Sequence, residues 1–185
     1  MLIIEDGEVW RLLTPILLHA GIIHLGGNVL VQYEAGNLWE KEWGSLIWML
    51  IYMGSALGSS ILSVIAMPDQ ISVGSSGAVM GLFGGKLAEI VLLCFEKSTN
   101  LVEHAGAQSR KHQACTVMGG IMMVMAMSFI PYVDWAAHLG GMVAGFVIGL
   151  VCFLFKIRNW LFILVWLVVG VGSCFALFSV GLAYM

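Results

Sequence analysis

Residues 74–95 read GSSGAVMGLFGGKLAEIVLLCF, and the organisation of the whole chain turns on that stretch. From position 76 to 95 it has about the 20 mostly apolar residues that a membrane-crossing helix needs, interrupted only by Lys86 and Glu89. It opens on two serines set between glycines, Gly74-Ser75-Ser76-Gly77, and Gly77, Gly81 and Gly84 or Gly85 then recur at spacings of three and four. Small residues at that spacing make a helix face on which a second membrane helix can pack backbone to backbone. Lys86 and Glu89, three apart, share a face and read as a mutual pair turned into a bundle interior rather than as a functional relay.

Outward from this helix the chain keeps the same character. Of its 185 residues 60% are hydrophobic and 10% charged, with a mean hydropathy of +0.96. A soluble domain carries about 25% charge, so this chain has too little polar surface to cover a core in water. Lys and Arg number 8 against 11 Asp and Glu, with no basic stripe, which argues against a nucleic-acid partner. The composition likewise excludes disorder and a secreted disulfide scaffold. Cys94, Cys115, Cys152 and Cys174 lie in apolar stretches without CxxC or zinc spacing and read as small buried hydrophobes. The opening MLIIEDGEVW holds three acidic residues and no basic one, unlike a signal peptide.

The fold expected is all-α: a polytopic transmembrane helical bundle with six spans, near 22–39, 45–66, 76–95, 114–131, 136–155 and 159–182. The first is the least apolar, carrying His24, Asn28, Gln32 and Glu34. Polar breaks separate the spans at Glu40-Lys41-Glu42, Met67-Pro68-Asp69-Gln70, 96–113, Pro131-Tyr132-Val133-Asp134 and Lys156-Ile157-Arg158. Lys41, Lys97, Arg110, Lys111, Lys156 and Arg158 all fall on one set of alternate connections, whereas the other side has only Arg11 among its basic residues. The positive-inside rule then puts 40–42, 96–113 and 156–158 in the cytosol, with the 67–75 and 131–135 loops outside or in the lumen.

In that topology the spans starting near 22, 76 and 136 all run inward from the outer face, so their first turns share one depth. Those turns hold the unusual polar residues: His19, His24 and Asn28; Ser75 and Ser76; and Ala137-His138-Leu139-Gly140-Gly141. Polar groups in hydrocarbon are costly without partners, so their convergence points to a site. His138, Gly141, Gly145 and Gly149 also share one face, a match for the glycines behind Ser76. For Gly77 and Gly141, packing and a role in shaping access to the site stand equal.

A serine hydroxyl becomes a nucleophile when a base takes its proton, and histidine is the usual base. Ser76 and His138 on two packed helices meet that need, with Ser75 the rival nucleophile. An oxyanion requires donors: the free N–H of Ser76 at its helix start is one, and His24 and Asn28, four apart on one face, offer two more. Ala78 stands where the soluble-hydrolase elbow G-x-S-x-G has its last glycine. His19 and His24 lack a third metal ligand nearby, and neither HExxH nor GxGD occurs, so no metal is expected.

These residues resemble the rhomboid intramembrane serine proteases over residues 10–149. Trp10-Arg11 is similar to the family's WR motif, His19-x4-His24-x3-Asn28 to HxxxxHxxxN, and Glu40 to the acidic end of that helix. Gly74-Ser75-Ser76-Gly77 matches GxSG, and Ala137-His138-x2-Gly141-x3-Gly145 matches AHxxGxxxG. The resemblance implies Ser76 as nucleophile, His138 as base, an oxyanion hole of His24, Asn28 and the Ser76 backbone, and Gly74 and Gly141 shaping the site. It implies no cofactor, no metal and no acidic triad member. The substrates it implies are transmembrane proteins cut in or beside a membrane helix, reached through a cavity opening outward, with Trp10-Arg11 and the apolar run 12–18 forming an interfacial loop.

Three departures bear on that picture. The family core has six helices, the first ahead of the WR motif, and only nine residues precede Trp10 here. Residues 1–155 are therefore expected to be a protease core lacking its first transmembrane helix, with 156–185 an additional C-terminal helix. A core plus one resembles the secretory-pathway members, which implies plasma, secretory or endosomal membranes and a site facing the lumen or exterior. The residue four after the nucleophile, often Tyr in the family, is Met80, whose thioether can still pack on imidazole. Two other readings are an inactive rhomboid-like binding or trafficking factor, against which Ser76 and His138 are both retained, and a small transporter, for which only Lys86 and Glu89 supply mid-membrane charge.

Overall fold

The computed structural model describes residues 7–94, 101–128, 133–154 and 160–183, and among them every regular element is helical. Two short 3-10 turns, Val9–Leu12 and Thr14–Leu17, lead to helix α1 (Ile22–Val31). A wider π turn at Gln32–Gly36 carries α1 without a break into α2 (Asn37–Trp43). Then come α3 (Ser45–Ala66), α4 (Ser76–Cys94), α5 (Leu101–Met127), α6 (Trp135–Phe153) and α7 (Trp160–Ala183). Among the described residues three helices, α3, α4 and α6, are long and apolar enough to cross a membrane.

Helices α3, α4, α6 and α7 stand within two residues of the predicted 45–66, 76–95, 136–155 and 159–182. Two boundaries differ. The break expected at Glu40-Lys41-Glu42 is helical, and the chain turns instead at Gly44, whose φ of +83° is a conformation glycine tolerates. Glu and Lys are good helix formers, so the charges mark an edge in hydropathy and not the end of the helix. For the same reason α5 begins at Leu101, inside the polar stretch predicted to connect two spans, and not at 114. The expected breaks at 96–100, 131–132 and 156–158 lie outside the described residues.

α3, α4 and α6 all pack against one another, with α5 against α4 and α7 against α6 and α3. The approach of α4 to α6 is as close as the glycine pattern predicts. A β-carbon on Gly141 would lie 1.9 Å from the Gly77 carbonyl oxygen, and one on Gly145 2.0 Å from that of Gly81. One turn further, Gly149 faces the Gly85 backbone. The opposite side of the same glycines is filled by α3. The Ser59 hydroxyl stands 2.0 Å from where a Gly77 β-carbon would be, and that of Ser55 1.9 Å from the Gly81 position. Hence α4 is squeezed from both sides and its axis is fixed.

Lys86 and Glu89 form the predicted pair, Nζ to Oε2 2.9 Å, both buried. The cluster is larger than foreseen. Glu42 also contacts the Lys86 ammonium, and the Trp43 indole N–H donates to Glu89 Oε2 at 2.9 Å. Trp39 and Trp43 stack beside it, with Phe83 edge to face on Trp39 and Phe153 tilted against Trp43. At 1.5 Å per residue this ionic cluster is about 15 Å along α4 from Ser76, at the other end of the core.

Candidate active site

The start of α4 is held by the segment before it. Gly74, at φ +118°, donates its N–H to the Pro15 carbonyl at 2.9 Å, tying the loop to the second 3-10 turn. The Ser75 carbonyl accepts the Val79 N–H at 2.9 Å, the first bond of the helix. Ser76 is therefore the first residue of α4, where backbone N–H groups lack helical acceptors. The start of α6 is fixed by Asp134. Its Oδ1 accepts from the Ala137 N–H at 2.8 Å, and its Oδ2 accepts from the Ser63 hydroxyl of α3 at 2.5 Å. This cap sets the first turn of α6, and with it the His138 ring.

Between these two helix starts His138 Nε2 lies 2.8 Å from Ser76 Oγ, across 62 residues of sequence. His138 is buried, and its other ring nitrogen, Nδ1, lies 2.5 Å from the hydroxyl of Ser128 just past α5. The rival serine faces elsewhere. Ser75 Oγ accepts a hydrogen bond from Gln32 Nε2 at 3.2 Å and stands 3.5 Å from His19 Nε2, and Gln32 also donates to the Tyr52 hydroxyl at 3.3 Å. The two adjacent hydroxyls thus face different partners.

His24 and Asn28 come up beneath Gly74. A β-carbon at Gly74 would lie 2.6 Å from His24 Cε1, 3.0 Å from His24 Nε2 and 3.6 Å from Asn28 Nδ2. Glycine is required there twice over, by its φ and by this approach. Asn28 is buried and its amide nitrogen has no hydrogen-bond partner, a donor left open beside the loop that delivers Ser76. His24 Nδ1 accepts the Ala20 N–H at 3.4 Å, which leaves Nε2 to carry the ring proton as a second donor. His19 meets His24 edge to face, 5.4 Å between centroids.

The remaining predicted residues fall into supporting places. Gly77 and Gly141 are the closest point of the α4–α6 seam, so they set the distance at which Ser76 meets His138. Met80, one turn below Ser76, is fully buried in the core. Arg11 pairs with Glu8 on the surface, while Trp10, Leu17 and Leu18 are exposed. The reading of the sequence missed Ser128, Ser63 and the contacts of Gln32. Gln32 had a signal, lying four residues after Asn28 on the same helix face. Ser63 had one too, ending the Ser55-x3-Ser59-x3-Ser63 stripe of α3, whereas Ser128 is a single serine in an apolar stretch.

A hydroxyl paired with an imidazole nitrogen, beside donors with nothing to bind, can do nucleophilic acyl transfer. Comparison with known proteins agrees in kind. A family model described as the Rhomboid domain matches residues 6–155. RHOMBOID-like protein 6, mitochondrial, of Arabidopsis thaliana is 34% identical over 161 residues, 85% of this chain and 48% of that protein. RHOMBOID-like protein 1 of the same plant is 38% identical over 157 residues, 85% of this chain and 37% of that one. Rhomboid protease GluP of Bacillus subtilis (strain 168) is 32% identical over 149 residues, 78% and 26% respectively. The chain spans less than half the length of each of these relatives.

Proposed function

The chain belongs to the rhomboid family of integral membrane proteins, and from that premise we propose that it is an intramembrane serine endopeptidase with Ser76 as nucleophile and His138 as general base. The observation that carries the reading is the 2.8 Å contact between Ser76 Oγ and His138 Nε2. His138 Nε2 takes the hydroxyl proton as Ser76 Oγ bonds to the scissile carbonyl carbon. The oxyanion that forms is met by the Ser76 N–H, Asn28 Nδ2 and His24 Nε2. His138 then gives the proton to the leaving amine, the C–N bond breaks, and an acyl-serine remains. Water, deprotonated by His138, attacks that ester and releases the acid and the free hydroxyl. No cofactor enters these steps.

The substrates on this reading are transmembrane proteins cut in or next to a membrane helix. The six spans expected from the sequence, of which α3, α4 and α6 have the length and apolarity to cross a membrane, would put the starts of α1, α4 and α6 on one side. The basic residues of the alternate connections support a site open to the lumen or exterior. Residues 1–155 act as the protease core, and α7 is a helix added to it, an arrangement that favours plasma, secretory or endosomal membranes. The test is a serine-reactive fluorophosphonate on the purified chain in detergent. Ser76 is labelled, and Ser76→Ala and His138→Ala each abolish both labelling and cleavage of a transmembrane peptide. Label on Ser75, or none, overturns the assignment.

A further inference from the structure

Resting on that reading of Ser76 and His138, we infer that Ser128 is a positioning residue that holds His138 in the tautomer able to act as a base. A neutral imidazole carries its proton on one nitrogen and accepts with the other. Only a ring protonated on Nδ1 presents a bare Nε2 to the Ser76 hydroxyl 2.8 Å away. What decides the tautomer is therefore whatever faces Nδ1. That group is the Ser128 hydroxyl, at 2.5 Å and buried with it.

A hydroxyl has one proton and two lone pairs. Ser128 Oγ also lies 2.8 Å from the Val124 carbonyl, which can only accept. The hydroxyl proton goes to that carbonyl, the usual bond of a serine to the residue four before it in a membrane helix. Its lone pair is then left to accept Nδ1–H. Ser76, His138, Ser128 and the Val124 carbonyl form one directed chain, in which each group donates to the next and every proton points away from the nucleophile. The nearest acid in sequence, Asp134, does not do this, because one oxygen caps α6 and the other accepts from Ser63. The order Ser–His–Ser takes the place that an acid holds in a soluble triad, and does so without a charge.

The experiment uses the full chain in detergent micelles, with a fluorophosphonate as probe. Ser128→Ala lowers the inactivation rate constant kinact by about 10- to 100-fold with KI unchanged, since only proton transfer to the base is impaired. Ser128→Thr keeps the hydroxyl and restores kinact to within about threefold. Nitrogen-15 spectra of histidine-labelled protein, assigned by the signal lost in His138→Gln, give Nδ1–H in the unaltered chain and a shift toward Nε2–H in Ser128→Ala. Wild-type kinact in Ser128→Ala, an equal loss in Ser128→Thr, or Nε2–H in the unaltered chain overturns the inference. The spectrum of the unaltered chain decides even where a variant fails to fold. Failure of Ser76 to label in the unaltered chain sinks the protease reading itself, a separate result.

Discussion

Gly141→Ala adds a single methyl to the α4–α6 seam, and its effect can be worked from the geometry. The new β-carbon would lie 1.9 Å from the Gly77 carbonyl oxygen. A carbon–oxygen contact needs about 3.3 Å, so the seam must open there by about 1.4 Å. Neither side can yield by rotating a side chain, because the obstacle is backbone and Ser59 of α3 stands on the far side of Gly77. His138 is three residues before Gly141, so the displacement passes largely to the ring. The 2.8 Å bond to Ser76 stretches to about 4 Å, beyond hydrogen-bond reach. A misplacement of that size costs on the order of 100-fold in rate, and the overpacking costs about 1–3 kcal/mol in stability. The assay pairs fluorophosphonate labelling of Ser76 with thermal melting in detergent. Gly119→Ala is the control, since nothing lies within 4 Å of its β-carbon position. It should label normally and gain up to about 1 kcal/mol from helix propensity. Normal labelling and melting in Gly141→Ala would refute the claim that the glycine seam sets the site.

Asn28→Ala removes the buried amide that has no partner and should lower turnover of a transmembrane peptide about 10²- to 10³-fold without unfolding the chain, as for loss of one oxyanion donor. Complete loss of activity in a folded variant would mean that Asn28 has a different role. Lys86→Met leaves the carboxylates of Glu42 and Glu89 without their shared cation and should cost about 3–5 kcal/mol in unfolding measurements, the range for breaking a buried pair. Its folded fraction should still label Ser76 within about threefold of normal, because the cluster is far from the site. A selective loss of labelling at unchanged stability would instead tie that cluster to the chemistry.

Much of the arrangement was legible in the sequence because it is repeated there. The glycines at 77, 81 and 85 and at 141, 145 and 149 predict a seam, and the structure has one at those residues. The expected topology gives His24, Asn28, Ser76 and His138 one depth, and the glycine faces of two of their helices then suggest which starts adjoin. Helix ends were less legible. Hydropathy responds to charge, but Glu40, Lys41 and Glu42 continue a helix until Gly44 turns it, and the polar start of α5 is helical as well. The choice between Ser75 and Ser76 needed orientation about the helix axis, which adjacency in sequence does not give. Ser63 and Ser128 were invisible for a related reason. Each acts through one hydrogen bond to a distant residue, and although Ser63 continues the Ser55, Ser59 spacing, nothing in that spacing names its partner.

On the proposed reading, the placement of charge accounts for a serine standing behind His138. Between α4 and α6 an ionised carboxylate would be stripped of water at a penalty of several kcal/mol, recovered only with an excellent partner. The chain places its buried charges where partners exist. Lys86 sits among Glu42, Glu89 and the Trp43 indole. Asp134 sits at the N-terminus of α6, where its carboxylate accepts from the Ala137 N–H and the Ser63 hydroxyl. At the His138 ring the described hydrogen-bonding groups are two hydroxyls, those of Ser76 and Ser128. Such a site gives up the stabilisation that an acid offers an imidazolium. In exchange the group in direct contact with Nδ1 is a hydroxyl that carries no ion to desolvate, and the carboxylate of Asp134 is kept one turn away at the helix cap.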